Sequence, residues 1–197
     1  MFTLPSLNDF IPGSKNVDVS GQVIFRIHED FWRQVEFVSS AHDAQIASEF
    51  DEVARIYRDY SVPSDQITGF KKCHVRKLIT DPLIPSFSLA DLCAILPKKM
   101  HQLDGLGYND DGDKVIDGGF AFDMGSTVFY GQALEGRVKA LGVLRGHHTL
   151  VSSGDLAAAL TTLMSSYSVY LVDWCRVIQI QAEEASIKSH LESMYYQ

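Results

Sequence analysis

The sequence predicts an α+β fold, an antiparallel sheet of about five to seven strands flanked by helices, and three stretches carry the prediction. Residues 115–145 contain VIDGGFAFDM, TVFYGQAL and RVKALGVLR, which read as three strands joined by Gly125-Ser126 and Glu135-Gly136. Gly-X suits the first central position of a tight hairpin turn, and a Gly after Glu supplies the positive φ of a short bulged loop. Between Ala41 and Tyr60 the apolar residues Ile46, Phe50, Val53, Tyr57 and Tyr60 recur on one helical stripe, with Asp43, Glu49, Asp51, Glu52 and Arg58 largely outside it. Asp51 and Arg55 also stand at the four-residue spacing that supports a helix. The third stretch, GDLAAALTTLM from Gly154 to Met164, is an Ala-rich helix.

The remaining elements follow in chain order. Residues up to about 15 carry Pro5, Pro12 and Gly13 without periodicity and read as an arm, leaving 16–197 as one domain. Val17 to His28 alternates Val23, Phe25 and Ile27 against Gln22, Ile24 and Arg26, the pattern of a strand. Phe31 to Val38 fits a short strand or a helical turn, and its aromatic and β-branched residues favour strand. After the Val62-Pro63-Ser64-Asp65 stop, Gly69 to Ile79 is a basic strand. Ser88 caps a short helix, Leu89 to Leu96, with Asp91 at its third position and Pro97 beyond its end. Leu103 to Tyr108 is a further strand that leads into the acidic tip Asn109-Asp110-Asp111-Gly112-Asp113. Ser168 to Gln181 reads as one long strand, bulged or straight, with a continuation of the preceding helix as the alternative; Ala182 to Tyr195 forms a last helix.

Folding the two hairpin turns sets Phe122 opposite Phe129, Phe120 opposite Gly131, Phe129 opposite Gly142 and Ala133 opposite Val138. Glycines inside strands need a covering ring or a close backbone approach, so the smooth phenylalanine face either receives the Ala-rich helix or forms a small-molecule pocket. The opposite face, with Ala121, Asp123, Val128, Tyr130, Gln132, Lys139, Leu141 and Val143, mixes polar with apolar and is expected to be half solvated.

At 197 residues and 46% hydrophobic content, the chain is long enough to bury a full core without metal or disulfide. Three cysteines, Cys73, Cys93 and Cys175, lack any zinc-type spacing, which argues for reduced thiols in the cytoplasm. The N-terminal residues show neither a basic start nor a continuous apolar run, and no apolar stretch reaches membrane-spanning length, so neither export nor a membrane is expected. A net charge of -8 argues against nucleic acid, which needs a basic surface to neutralise phosphates. It favours solubility or a basic partner.

Four constellations bear on chemistry. The acidic tip clusters carboxylates around Gly112, but no register supplies the ligand spacing of an EF-hand calcium loop, and Asn, Asp and Gly are ordinary turn residues. His28 and Asp30 have the spacing from which a facial triad could be built if His147 or His148 supplied a third ligand; the alternative is that Glu29 and Asp30 end a strand and His147-His148 sit in a turn with Gly146. Cys73 cannot use its strand neighbour His74 as a base, because adjacent strand residues face opposite sides, so Cys73 and Cys175 are expected to be small core residues. Asp173 shares a strand face with Val169, Leu171, Cys175 and Val177, and if buried it must be paired, with an arginine such as Arg76, or carry a raised pKa of functional use. No nucleophile elbow, zinc helix, Walker loop or dinucleotide fingerprint occurs, so no cofactor and no catalytic residue is assigned.

With its compact α+β pattern, its acidity and segments such as GFAFDM, VFYGQ and YLVDWCRVIQI, the chain resembles bacterial immunity-type proteins. The resemblance implies a cytosolic, non-enzymatic protein that blocks a cognate toxin stoichiometrically. Glu49, Glu52, Asp110, Asp111 and Asp113 would then meet a basic protein surface. The competing expectation is a small-ligand binder or enzyme with a pocket near Phe120, Phe122 and Phe129, anchored by His28, Asp30 or Asp173. A homomeric assembly is a third, for which a large exposed apolar patch is the sign.

Overall fold

The computed structural model describes residues 13–17, 21–60, 75–79, 81, 83–109, 115–124, 127–145 and 153–193. Along the chain these form β1 (Gly13–Val17), β2 (Val23–Ile27), β3 (Val35–Ser39), α1 (Asp43–Tyr60), α2 (Leu89–Ile95), β4 (His101–Leu103), β5 (Gly105–Tyr108), β6 (Gly119–Asp123), β7 (Thr127–Leu134), β8 (Arg137–Arg145), α3 (Ser153–Tyr167), β9 (Val169–Asp173), β10 (Ile178–Ile180) and α4 (Glu184–Ser193). Seven strands make one antiparallel sheet in the order β10-β9-β3-β8-β7-β6-β4, and β1-β2-β5 make a second, small sheet in which β2 and β5 run parallel. Both sheets belong to one compact unit with α2, α3 and α4, whereas α1 and residues 75–79 belong to another.

The meander β6-β7-β8 is the centre of the large sheet. Phe122 faces Phe129, Phe120 faces Gly131 and Ala133 faces Val138, as the turn chemistry predicts. At the second turn Glu135 and Gly136 both take positive φ, 52° and 75°, the signature of a two-residue type I′ hairpin. The Gly125-Ser126 turn lies outside the described residues, but the strand ends it would join are paired at Asp123 and Val128.

One register expectation is corrected. A β-bulge between Gln132 and Ala133 inserts an extra residue on β8, so Gly142 faces Tyr130 and Phe129 faces Val143. The consequence is a change of face. Leu141 and Val143 join the phenylalanine side, where they are buried with Phe120, Phe122, Phe129, Leu156 and Leu160, while Tyr130 closes over Gly142 on the other. A Cβ at Gly142 would stand 2.5 Å from Tyr130 Cζ, so only glycine admits the ring. Gly131 plays the same part for Phe120, since a Cβ there would meet the ring and the Ala140 carbonyl.

The phenylalanine face is the main core. α3 lays Leu156, Ala157, Leu160, Leu163 and Met164 on it, and Leu92 of α2 and Ile187 and Leu191 of α4 complete the cover. Each of the leucine, isoleucine and methionine side chains contributes about 1.5–3 kcal/mol when fully buried. The opposite face, expected to be half solvated, is instead a second core in which Ala121, Val128, Tyr130 and Leu144 pack with Phe25, Ile27 and Leu106 of the small sheet. The mixed pattern gives no sign of the small sheet that covers Ala121, Val128, Tyr130 and Leu144, while Gln132 and Lys139 stay half-buried.

Several boundaries differ from expectation. The 17–28 strand is the hairpin β1-β2, paired from Val17↔Val23 to Gly13↔Ile27. Residues 31–38 divide into a 3-10 turn ending at Phe31, a left-handed Arg33 and β3. The 103–108 strand splits at Asp104 between the two sheets, where Asp104 Oδ2 accepts the Val23 N–H at 2.7 Å. The long 168–181 strand is a hairpin, β9 and β10, whose loop 174–177 ends on Val177 at φ 59°. Residues 75–79 form no strand, and the rest of that predicted segment lies outside the described residues. The α2 cap matches in full: Ser88 Oγ accepts the Asp91 N–H at 3.2 Å, and Asp91 Oδ2 accepts the Ser88 N–H at 2.9 Å.

Candidate functional site

Two places gather ionisable groups in ways that bear on function, one on α1 and one where β9, β10 and α4 meet. On α1 the inward side chains are Ile46 and Ile56, while Tyr57, placed on the apolar stripe by its spacing, is 64% exposed. Ala44, Ala47, Ser48, Asp51, Glu52 and Arg55 recur at helical spacing and, with Glu49, line an open depression of about 730 Å3. Glu49 and Glu52 are half-buried and Asp51 is exposed. Arg55 pairs with Glu52, at 2.8 Å and 2.5 Å through Nε and Nη2, and lies 3.8 Å from Asp59. Its expected partner Asp51 is passed over. The hydrogen bond and charge of Glu52 raise the pKa of Arg55 above its usual value. Of the other acids predicted to face a partner, Asp110, Asp111 and Asp113 lie outside the described residues.

The second place is built around Asp173, at the end of β9. Its side chain is buried, the condition under which the sequence requires a partner, and the charges beside it are Arg176 and His190. Asp173 Oδ1 accepts the Arg176 backbone N–H at 3.0 Å, which closes the loop after β9 as an Asx-type turn. The Arg176 guanidinium lies 3.8 Å from Asp173 Oδ2 and donates to Ser193 Oγ and Ser193 O, at 2.5 Å and 2.7 Å. It thereby ties the loop to the last turn of α4. His190, in the same turn, places Nε2 3.5 Å from Asp173 Oδ2 without a hydrogen bond. Burial lowers the pKa of His190 below 6.5; the Asp173 carboxylate opposes that shift and Arg176 adds to it. The imidazole is therefore neutral at pH 7. Beside it an open depression of about 600 Å3 runs between β10 and α4, lined by Ile178 to Gln181, Glu183, Ser186, Ser189, His190 and Ser193 among others.

Sequence reading missed a third cluster. Glu36 is fully buried on β3, held by Arg33 Nε and by Trp174 Nε1–H at 2.9 Å. Next to it the Tyr130 hydroxyl accepts the Arg33 N–H and donates to Phe31 O, both at 2.8 Å. Arg33 reaches this geometry at φ 58°, a conformation that costs a non-glycine residue stability unless such bonds hold it. The only sequence signal is a Glu framed by Val35 and Phe37, which reads as a solvated position of an alternating strand. The cluster is a structural clamp between the 29–34 turn and the β9-β10 loop, which also join through Trp174 N–H to Gln34 O at 2.9 Å.

The other candidates resolve as follows. Phe120, Phe122 and Phe129 are core residues, 3%, 4% and 0% exposed, so the pocket expected near them is filled by helix side chains. His28 Nδ1 accepts the Asp30 N–H at 3.2 Å and lies 3.4 Å from its carboxylate, a local turn; His147 and His148 lie outside the described residues. Cys175, expected in the core, is exposed, and its thiol donates to Gln34 Oε1 at 3.0 Å. Cys73 and His74 lie outside the described residues. Among the described residues no three His, Cys, Asp or Glu side chains are grouped to hold a metal ion, and no helix is long and apolar enough to cross a membrane. Compared with known proteins, the chain matches no family model, no curated protein and no solved structure.

Proposed function

We propose that this protein works by binding a basic protein partner, as a stoichiometric inhibitor of the immunity type that acts in the cytoplasm. The observation that supports this reading best is the α1 stripe. Ala44, Ala47 and Ser48 give it a flat floor without bulky side chains, and Glu49, Asp51 and Glu52 rim it with carboxylates. Such a surface accepts the stems and charges of lysine or arginine side chains. Within that rim Arg55 pairs with Glu52, and Glu49 and Asp51 add two further carboxylates. Complementary charge of this kind raises association rate and selectivity more than final affinity.

The test is affinity capture of the tagged protein from its own cells at low salt, with the Glu49→Gln/Asp51→Asn double variant in parallel. A partner of basic composition retained in equal amount by the parent and depleted with the variant supports the proposal. Equal retention by both proteins removes α1 from the account.

A further inference from the structure

One buried carboxylate oxygen, Asp173 Oδ2, lies between two groups that can carry positive charge. His190 Nε2 stands 3.5 Å from it and Arg176 Nε 3.8 Å, both beyond the roughly 2.8 Å of a charge-assisted hydrogen bond. The imidazole side chain is 5% exposed, and its Nε2 makes no hydrogen bond among the described residues. No other charged side chain of the surrounding elements is buried. Asp155 of α3 and Glu184, Lys188 and Glu192 of α4 are exposed, and β9 and β10 carry no charge besides Asp173.

A single carboxylate cannot balance two cations out of water, and these two differ in how easily they leave. His190 belongs to a helix anchored in the core by Ile187 and Leu191, whereas Arg176 lies on the loop after β9 with its side chain 18% exposed. That loop is also strained. Val177 takes φ 59°, which a β-branched residue adopts only where its surroundings hold it, and Arg176 supplies a hold through Ser193 Oγ and Ser193 O.

We infer that Asp173, Arg176 and His190 form an acid-sensitive latch, in which protonated His190 takes the Asp173 carboxylate and Arg176 lets go of α4. The proton comes from solvent, and the imidazolium Nε2–H donates to Oδ2. Oδ1 then turns away from the Arg176 N–H, which it holds at 3.0 Å. Trp174 stays bonded to Glu36 and to Gln34 O, so the freed segment begins after it. At neutral pH burial keeps the imidazole uncharged and the latch closed. The antagonism is reciprocal: removing the guanidinium makes His190 easier to protonate. None of this depends on a partner at α1.

The test is NMR of the isotope-labelled full-length protein between about pH 5 and 8, the range that spans imidazole titration. Arg176→Gln is expected to raise the midpoint of the His190 ring. In the parent, protection of the Arg176 amide, corrected for intrinsic exchange, should fall by up to about tenfold per pH unit as His190 takes its proton. The Leu171 amide in β9 should keep its protection over the same range. His190→Asn, or His190→Leu if that variant does not fold, should hold the Arg176 amide protected throughout. Arg176 protection that stays constant, that falls in step with Leu171 or that falls equally in the His190 variants would overturn the proposal, as would a His190 midpoint unmoved by Arg176→Gln.

Discussion

Replacing Tyr130 by Phe removes one oxygen and keeps everything else about the residue. The ring still covers Gly142 and still packs on Trp32, whose centroid lies 5.5 Å away. What disappears is the acceptor for the buried Arg33 N–H and the donor to Phe31 O, both at 2.8 Å. A buried donor left without its partner costs about 1–3 kcal/mol, and the partly buried bond adds about 0.5–1.5 kcal/mol. The left-handed Arg33 also loses the bond that offsets its strain, so the expected loss is roughly 2–4 kcal/mol, or on the order of 10 °C in midpoint. Urea unfolding followed by far-UV circular dichroism measures it, with an unchanged m-value showing that the native fold is retained. A loss below about 0.5 kcal/mol, the level of a surface substitution, would show that the clamp between the 29–34 turn and the sheet does not hold Arg33 in place.

Other consequences can be checked in the same assay. Leu160→Ala, at a fully buried position where α3 meets the phenylalanine face, should cost about 2–5 kcal/mol. Ser88→Ala breaks the capping box of α2 and should cost about 0.5–2 kcal/mol, a loss that Ser88→Asn largely avoids. His190 has a folded-state pKa below its unfolded one, so the unfolded chain binds the extra proton first as pH falls. Stability should therefore decrease from about pH 6.5 down to the folded pKa and level off below it, and His190→Asn should remove that component of the pH profile. A parent profile no steeper than that of the variant would contradict the burial of a neutral imidazole beside Asp173.

What local patterning can read is what local chemistry determines. The Glu135-Gly136 turn, the Ser88 cap and the periodicity of α1 and α3 are each set within a few residues, and each is present. Turn geometry alone sets Gly142 against Phe129 and not Tyr130, because the bulge at Gln132/Ala133 has no signature of its own; it lets the sheet serve a core on both faces. The β9-β10 hairpin was hidden for a related reason. Its loop, Trp174 to Val177, contains none of the usual turn residues and is closed instead by Asp173 and by Arg176 reaching α4. Asp173 was legible as a buried acid needing a partner, but the identity of that partner depends on how a helix after the hairpin folds back. Glu36 left no trace, since its partners Arg33 and Trp174 meet only when two loops are brought together across β3 and β9.

The central claim, recognition of a basic partner through acidic groups, is tested most directly by association kinetics. The rate constant for the captured partner is measured against ionic strength for the parent and for a variant neutralised at Glu49, Glu52, Asp110, Asp111 and Asp113. The account predicts a parent rate that falls steeply with salt, and a variant slower by roughly tenfold or more at low salt with a flattened dependence. Identical rates and slopes for the two proteins would contradict it.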